Sequence, residues 1–212
     1  VDLSPQVLGR LLPLKAATEL QNRLADKGIN WHLNDSISTV NYAGDALEVC
    51  LKNGALLQVD VILSAVGLKP ATELAIDSGL VCKRGIVVDR YLETSEQDIY
   101  ALGDCAQVVD LNLPYVMPIM HAARALAATL TGAKTAVHYP PMPVVVKTPA
   151  YPVVVCPPPR PVEGEWQEEY GTDGIVARYI DKQSVTQGFA LTGEHVKQRM
   201  AMAKEIPDWL SN

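Results

Sequence analysis

A short apolar segment that ends in Gly-Asp, residues 98–106 with the sequence DIYALGDCA, constrains the fold of this chain more than any other feature. Its β-branched and aromatic residues predict a strand. Gly103 lets a ligand approach the backbone closely because it has no Cβ. Asp104 places a carboxylate at the carboxyl end of that strand, where open α/β sheets bind their ligands. The segment predicts an α/β fold with a ligand site at this turn; a purely structural Gly-Asp turn is the alternative interpretation.

Composition and charge indicate a globular protein that acts on a small molecule or on another protein. The 212 residues are 48% hydrophobic and 20% charged, which is enough for a sizeable core. The net charge of −6 argues against nucleic acid as the main partner, and no apolar run approaches the ~20 residues that cross a bilayer. The four cysteines contain no C-x-x-C pair. We therefore expect a cytoplasmic protein without membrane insertion and without a metal site.

The first residues predict that this chain is the back part of a longer protein. The chain lacks an initiator Met, and Val1-Asp2-Leu3 is typical of the end of a buried strand. Ser4-Pro5 then predicts the start of a helix, and the helix-spaced apolar residues after it stop at Gly28. A natural domain seldom begins in the last residues of a core strand.

Strands predominate in the next part of the chain. One is predicted over residues 29–40, and the Asn53-Gly54 turn predicts a hairpin between the alternating segments 46–52 and 56–59. The near-continuous apolar run at 61–66 predicts a strand that is buried on both faces. The other elements predicted before residue 132 are a helix over 72–79, a strand over 86–88 and an Ala-rich helix over 119–130 that Pro118 opens.

A dense run of prolines between residues 138 and 162 marks a change of composition. Proline at this density is typical of edge strands and loops rather than of a parallel core. We therefore divide the chain into three units, residues 1–68, 69–131 and 132–212. The elements predicted in the third unit are strands at 144–146, 153–155, 175–180 and 185–191, followed by a helix at 195–205.

Taken together, the order of these units resembles the later half of the rubredoxin–NAD reductases, flavoproteins of the glutathione-reductase-like fold. Four segments carry the resemblance, and it spans the whole chain. The first two are typical of the wider reductase class, whereas the last two are particular to the rubredoxin reductases. The segments are Ser64-Ala-Val-Gly-Leu-Lys-Pro70, Ile99-Tyr-Ala-Leu-Gly-Asp-Cys-Ala106, Pro114-Tyr-Val-Met-Pro-Ile-Met120 and Val146-Lys-Thr-Pro-Ala150.

The resemblance implies an α/β fold, a partial two-dinucleotide-binding-domain (glutathione-reductase-like) flavoprotein with a C-terminal α+β module. Residues 1–68 would be the second part of the NAD-binding domain. Residues 69–131 would be the return of the chain into the FAD-binding domain, and residues 132–212 would form the module that faces rubredoxin.

The activity that the resemblance implies is that of an oxidoreductase that passes electrons from NADH through FAD to rubredoxin and so supplies an alkane hydroxylase. No catalytic side chain is expected, because the cofactor carries the chemistry. Alternative acceptors are ferredoxin, oxygen or a disulfide. No G-x-G-x-x-G occurs in the 212 residues, so both pyrophosphate loops are expected upstream, and a non-catalytic fragment is a further alternative.

On the FAD side, the resemblance implies that Asp104, with Gly103 beside it, bonds a ribitol hydroxyl. The helix that starts at Pro118 would point its N-terminus at the pyrimidine edge of the flavin and favour negative charge there. Val116 and Met117 would contact that edge. A capped core helix that touches no ligand is the alternative.

The remaining predicted cofactor contacts lie far apart in the sequence. Lys147 would lie beside the isoalloxazine ring, with a plain surface lysine as the alternative. Gly67 would allow the nicotinamide and the flavin near its backbone, although a structural turn explains the same letters. Asp2 would bond the adenine ribose and prefer NAD over NADP. A basic docking patch for an acidic electron carrier could include Arg160, Lys182 and Lys197, although isolated cations are more often solvated surface.

Overall fold

The structure is a computed structural model, and it describes residues 1–148 and 151–211. No helix in these ranges is both long enough and apolar enough to cross a bilayer. A 3₁₀ helix (Gly193–Gln198) precedes the last α-helix. The elements in chain order are α1 (Leu14–Ala25), β1 (Ile37–Ala43), β2 (Ala46–Leu51), β3 (Leu56–Val59), α2 (Glu73–Asp77), β4 (Ile86–Val88), β5 (Ala106–Val108), α3 (Val116–Leu130), β6 (Val144–Val146), β7 (Val153–Cys156), β8 (Gly164–Gly171), β9 (Gly174–Asp181), β10 (Thr186–Thr192) and α4 (Arg199–Ala203).

The strands form three sheets of different size. β1, β2 and β3 make an antiparallel sheet, and the turn between β2 and β3 is closed by the Ala55 N–H, which donates to Asn53 Oδ1 at 2.8 Å. β4 and β5 form a parallel pair. The largest sheet is antiparallel, in the order β6-β7-β10-β9-β8. The predicted hairpin at Asn53-Gly54 and the predicted antiparallel strands of the last unit are thereby confirmed.

The five-stranded sheet has a hydrophobic core on each face, because side chains alternate along its central strands. Phe189 and Leu191 of β10 pack in a core with Ala122 of α3, whereas Ala190 between them packs in the other core. That second core includes Leu20 of α1. The sheet therefore binds helices from both earlier parts of the chain, one on each face.

The helix predicted from Pro5 begins later than expected, at Leu14. Residues 5–12 form turns instead, and Pro13 takes the N-cap position with its carbonyl accepting the N–H of Ala17 at 3.0 Å. A helix that started at Pro5 would hold Pro13 in its interior, where proline lacks the N–H and its ring clashes with the preceding turn. The predicted start of the helix was wrong because it ignored the disruptive effect of Pro13 inside a helix.

The buried strand predicted at residues 61–66 is not formed. This run belongs to no helix or sheet, and its side chains are mostly exposed, with Val61 at 79% and Val66 at 95%. A strand that is buried on both faces needs neighbouring strands and covering helices. No strand of the described ranges pairs with it. The sequence of this run is therefore typical of a buried strand, but no strand in the described ranges pairs with it.

Three further differences from the sequence prediction concern two strands and the closing helix. Of the strand expected over 29–40, only residues 37–40 belong to β1, which continues to Ala43, and the closing helix divides into the 3₁₀ helix and α4. β8 was not predicted, because it is an edge strand with most side chains exposed and so lacks an apolar pattern.

Val109, which follows β5, has a φ of 59°. This conformation costs an L-residue roughly 1–2 kcal/mol, and it is held by the Val109 N–H, which donates to the Val88 carbonyl at 2.8 Å. Asparagine tolerates this region far better than a β-branched residue. Val109→Asn is therefore expected to raise the free energy of unfolding in urea by about 1 kcal/mol.

The matched control for this prediction is Val61→Asn, at an exposed position without a positive φ. Its free energy of unfolding is expected to change by less than ~0.5 kcal/mol. Equal stabilities of the two variants would show that the backbone at Val109 stores no strain.

Candidate functional site

The Gly103-Asp104 turn lies immediately before β5, between an extended segment and that strand. Residues 99–102 form only an isolated bridge, between Tyr100 and Glu93, so the strand predicted to end at Asp104 is reduced to this contact. Gly103 has a φ of +90°, which favours glycine. The turn therefore lies between the bridged segment 99–102 and the amino end of β5, and its expected position at the carboxyl end of a full strand stays a prediction. Among the described residues, no further strand pairs with 99–102 to extend it into a sheet.

Asn112 fixes the geometry of this turn. Its Nδ2 donates to the carbonyls of Asp104 at 3.0 Å and of Ala106 at 2.9 Å. The carboxylate of Asp104 is exposed and forms no ion pair within the described ranges, so it can accept hydrogen bonds from a ligand. Sequence reasoning missed Asn112; the signal available was a single amide between two leucines in an apolar segment.

The N-terminus of α3 lies next to this turn. The helix begins at Val116, two residues before the predicted start, and its N-cap residue Tyr115 makes no side-chain capping bond. Val116 and Met117 expose 69% and 47% of their surface, and their backbone N–H groups are among the first of the helix, which lack intrahelical partners. The helix end therefore presents free donors and the positive end of its dipole.

Both features border the same small cavity. Gly103 and Ala106 line it from the turn, and Pro118 and Ile119 line it from α3. Tyr139 closes the cavity from the later part of the chain. Of the predicted cofactor contacts, Gly103 lines this cavity, whereas Asp104, Val116 and Met117 are exposed and do not line it. The turn and the helix are neighbours in the structure, and their contact with one cofactor stays a prediction.

Burial shifts the pKa values of several ionisable groups in and near the core beside the cavity. Burial raises the pKa of Tyr139 to about 12 and that of Cys156 to about 12, and it also raises the pKa of Tyr115. Burial, with Arg124 and His138 nearby, lowers the pKa of His121. His121 packs edge-on against Tyr139, with 6.3 Å between ring centroids.

The other three predicted contacts lie elsewhere. Gly67 is in the exposed run after residue 66 and has a φ of +108°. Lys147 is exposed directly after β6, and residues 149–150 of its predicted motif lie outside the described residues. Asp2 forms a parallel bridge with Leu33, and its Oδ1 accepts the N–H of Ser4 at 2.8 Å. Within the described ranges, none of the three predicted contacts bonds to the Gly103-Asp104 turn or lines its cavity.

The cations proposed for a docking patch are all paired. Arg160 binds both carboxylate oxygens of Asp110, at 2.6 and 2.8 Å, and it also donates to the Trp209 carbonyl at 2.7 Å. The bond from Arg160 lowers the pKa of Asp110. Lys182 pairs with Glu163 and Lys197 with Glu194. All three cations have carboxylate partners in the structure, and Arg160 fixes the turn after β5 to the last unit; their part in a docking patch stays a prediction.

The residues near the cavity have the chemistry to bind two parts of a flavin, namely its ribitol chain and one edge of its ring. An unpaired carboxylate accepts hydroxyl donors such as those of a ribitol chain, and an uncapped helix end favours an anionic ring edge. No group of three or more potential metal ligands clusters in the described ranges.

Comparison with known proteins gives two family matches along the chain. Residues 1–129 match the pyridine nucleotide-disulphide oxidoreductases, and residues 136–206 match the rubredoxin binding C-terminal domain. The chain is 47% identical over 211 residues to the rubredoxin-NAD(+) reductase of Acinetobacter baylyi, covering 98% of this chain and 54% of that protein. It is 39% identical over 206 residues to the nitric oxide reductase FlRd-NAD(+) reductase of Vibrio vulnificus, covering 97% and 54%. The chain spans about half the length of these relatives.

Solved structures show the same fold. A ferredoxin reductase from Rhodopseudomonas palustris superposes with a TM-score of 0.83 at 23% identity, over 97% of this chain and 53% of that chain. The NADH:rubredoxin oxidoreductase from Clostridium acetobutylicum gives a TM-score of 0.71 at 20% identity, over 96% and 50%. The predicted fold class, an α/β fold of the two-dinucleotide-binding-domain type, is confirmed.

Proposed function

Because this chain belongs to the pyridine nucleotide-disulphide oxidoreductase family, we propose that the protein acts as an NADH-dependent flavoprotein reductase that passes electrons through FAD to rubredoxin. One observation carries the proposal. A single chain joins the oxidoreductase match at residues 1–129 to the rubredoxin binding domain match at residues 136–206. The second match supports rubredoxin as the electron acceptor, and the first supports a pyridine nucleotide as the electron donor.

FAD, when bound, would take the hydride of NADH and release its electrons one at a time. The Asp104 carboxylate accepts hydrogen bonds from the ribitol chain, and Gly103 gives the turn the backbone conformation that places this carboxylate. The free N–H groups of Val116 and Met117 stabilise negative charge at the flavin edge by about 0.3–2 kcal/mol. These chain residues bind and orient the cofactor.

Three more predicted cofactor contacts, which do not line the cavity, belong to the same proposal. Lys147 lies beside the ring and raises its electron affinity, and Gly67 admits the two cofactor rings near the backbone. Asp2 bonds the adenine ribose and excludes the 2′-phosphate of NADPH. The division into residues 1–68 for NAD binding, 69–131 for FAD binding and 132–212 for the rubredoxin-facing module is proposed with them.

The physiological acceptor has two candidates. We propose rubredoxin in supply of an alkane hydroxylase, in the cytoplasm, since the higher identity is to a rubredoxin-NAD(+) reductase. The second candidate is the FlRd of nitric oxide reduction, which the names of relatives at 39% identity favour.

Reduction of the FAD-loaded protein by NADH, without oxygen, tests the proposal. We expect the flavin absorbance to bleach on addition of NADH, and the visible absorbance of oxidised rubredoxin to bleach when it is then added. A flavin that bleaches without subsequent reduction of rubredoxin would overturn the acceptor assignment. Reduction by NADPH but not by NADH would overturn the donor assignment.

A further inference from the structure

One guanidinium of the last unit holds two segments that are far apart in the sequence. Arg160 donates from Nε and Nη2 to both carboxylate oxygens of Asp110, at 2.6 and 2.8 Å, and from Nη1 to the carbonyl of Trp209 at 2.7 Å. Asp110 belongs to the turn after β5, whereas Trp209 follows α4. A planar group with fixed donor directions therefore joins these two segments.

The bond to Asp110 reaches the turn side of the cavity. Asp110 lies in the tight turn that Val108 and Leu111 close with two backbone hydrogen bonds, each of 2.9 Å, and both of these residues line the cavity. The next residue, Asn112, donates to the carbonyl of Asp104 at 3.0 Å. Asp110 is therefore connected, within two residues, both to the lining and to the residue that is proposed to bind the ribitol chain.

The bond to Trp209 reaches the aromatic residue of the lining. The Trp209 N–H donates to the carbonyl of Tyr139 at 2.8 Å, and Tyr139 exchanges backbone bonds with Leu210 at 2.9 and 3.1 Å. Trp209 is buried in the same core as Tyr139, and Tyr139 lines the cavity. Arg160 therefore holds the segment against which Tyr139 is fixed.

The guanidinium is carried by a stiff segment of the chain. Three prolines, at 157–159, precede Arg160, and Pro161 follows it. Proline fixes its own φ and restricts the residue before it, so the backbone at Arg160 has little freedom. The side chains of Arg160 and Asp110 expose 37% and 53% of their surface, and ion pairs that are this exposed contribute little to stability. The contact is therefore better suited to fix a position than to stabilise the fold.

We propose that Arg160 is a positioning residue of the flavin site, which keeps the turn after β5 and Tyr139 at a fixed separation so that FAD meets a preformed site. The inference rests on the proposed function, because it concerns the cavity beside which FAD is proposed to bind. Arg160 is not among the described residues that line the cavity, so it acts through Asp110 and Trp209. The last unit thereby takes part in cofactor binding through a residue that does not touch the cofactor.

Fluorescence titration of the flavin-free protein with FAD tests the proposal. Arg160→Gln is expected to raise the dissociation constant of FAD by about 10-fold. It is also expected to change the visible circular dichroism of the bound flavin, which reports how the ring is held. Arg160→Lys keeps the charge beside Asp110 but loses the two-point geometry, and an intermediate affinity is expected. Urea unfolding of both variants is expected to stay close to that of the parent, because the ion pair is exposed.

The matched control is Arg178→Gln. Arg178 also lies in the last unit and pairs with two carboxylates, those of Glu169 and Glu205, but neither partner is among the described residues that line the cavity. This variant is expected to bind FAD like the parent. Asp110→Asn is expected to reproduce the effect of Arg160→Gln. The double variant is expected to bind FAD no more weakly than either single variant, because both changes remove the same contact.

Hydrogen exchange of the flavin-free protein checks the same link without the cofactor. The N–H groups of Val108 and Leu111, which close the turn at Asp110, are expected to exchange several-fold faster in Arg160→Gln than in the parent.

Parent-like FAD binding and circular dichroism in Arg160→Gln, an equal loss in Arg178→Gln, or exchange rates at the turn that do not depend on Arg160 would overturn the positioning role. Additive losses in the Arg160 and Asp110 double variant would do the same. Failure of the proposed function is seen separately, as a parent protein that binds FAD but is not reduced by NADH or does not reduce rubredoxin in the absorbance assay.

Discussion

Replacing Asp104 by alanine is expected to weaken the binding of FAD to the full flavoprotein by roughly 10- to 150-fold. Hydrogen bonds to a charged group contribute about 1.5–3 kcal/mol, and about 1.4 kcal/mol is a factor of ten in affinity. The carboxylate of Asp104 is exposed and unpaired in the described ranges, so its removal leaves no buried partner behind. The turn itself stays in place, because Asn112 holds it through backbone carbonyls.

The measurement is a fluorescence titration of the flavin-free protein with FAD. Asp77→Ala is the matched control, since this carboxylate is likewise exposed but lies at the end of α2 and not in the Gly103-Asp104 turn. If the two variants bind FAD equally well, Asp104 does not contact the cofactor. Asp104→Asn should retain part of the affinity, because the amide oxygen still accepts a hydrogen bond.

Phe189→Ala is expected to lower the free energy of unfolding by about 3–5 kcal/mol. Phe189 is the only phenylalanine in the chain. It is fully buried in β10, the central strand of the five-stranded sheet, and it belongs to the core that includes α3 and β5. Loss of its ring leaves a cavity between the sheet and the elements that flank the Gly103-Asp104 turn.

Urea unfolding monitored by circular dichroism would measure this change. Tyr42→Ala removes an aromatic ring of similar size from a position that is 89% exposed on β1, and its expected change is below ~0.5 kcal/mol. A loss of less than about 1 kcal/mol for Phe189→Ala would mean that the core closes around the missing ring.

Local patterns predicted local structure correctly. The turn at Asn53-Gly54, the Ala-rich helix and the antiparallel strands of the last unit each depend on residues close in sequence, and each is present. The run at 61–66 and the segment 99–102 failed as strands because a strand needs partners that no local pattern supplies. The start of α1 failed for a local reason, the position of Pro13.

The candidate site likewise has parts that the local sequence predicts and parts that depend on residues far apart in the sequence. The Gly103-Asp104 turn and the end of α3 are separated by a short connection, and the structure places both at one cavity. Arg160 was proposed as a docking cation, but its partner Asp110 is 50 residues away in the sequence, so the pair could not be foreseen.

The exposed apolar run at 61–68 affects how the chain behaves at high protein concentration. Within the described ranges none of its backbone N–H groups donates to another backbone carbonyl. Leu63 and Leu68 also expose 86% and 72% of their surface. Backbone with unpaired donors beside exposed apolar side chains can act as a template for edge-to-edge addition of another polypeptide. We expect this segment to promote self-association of the chain, more strongly as the protein is concentrated.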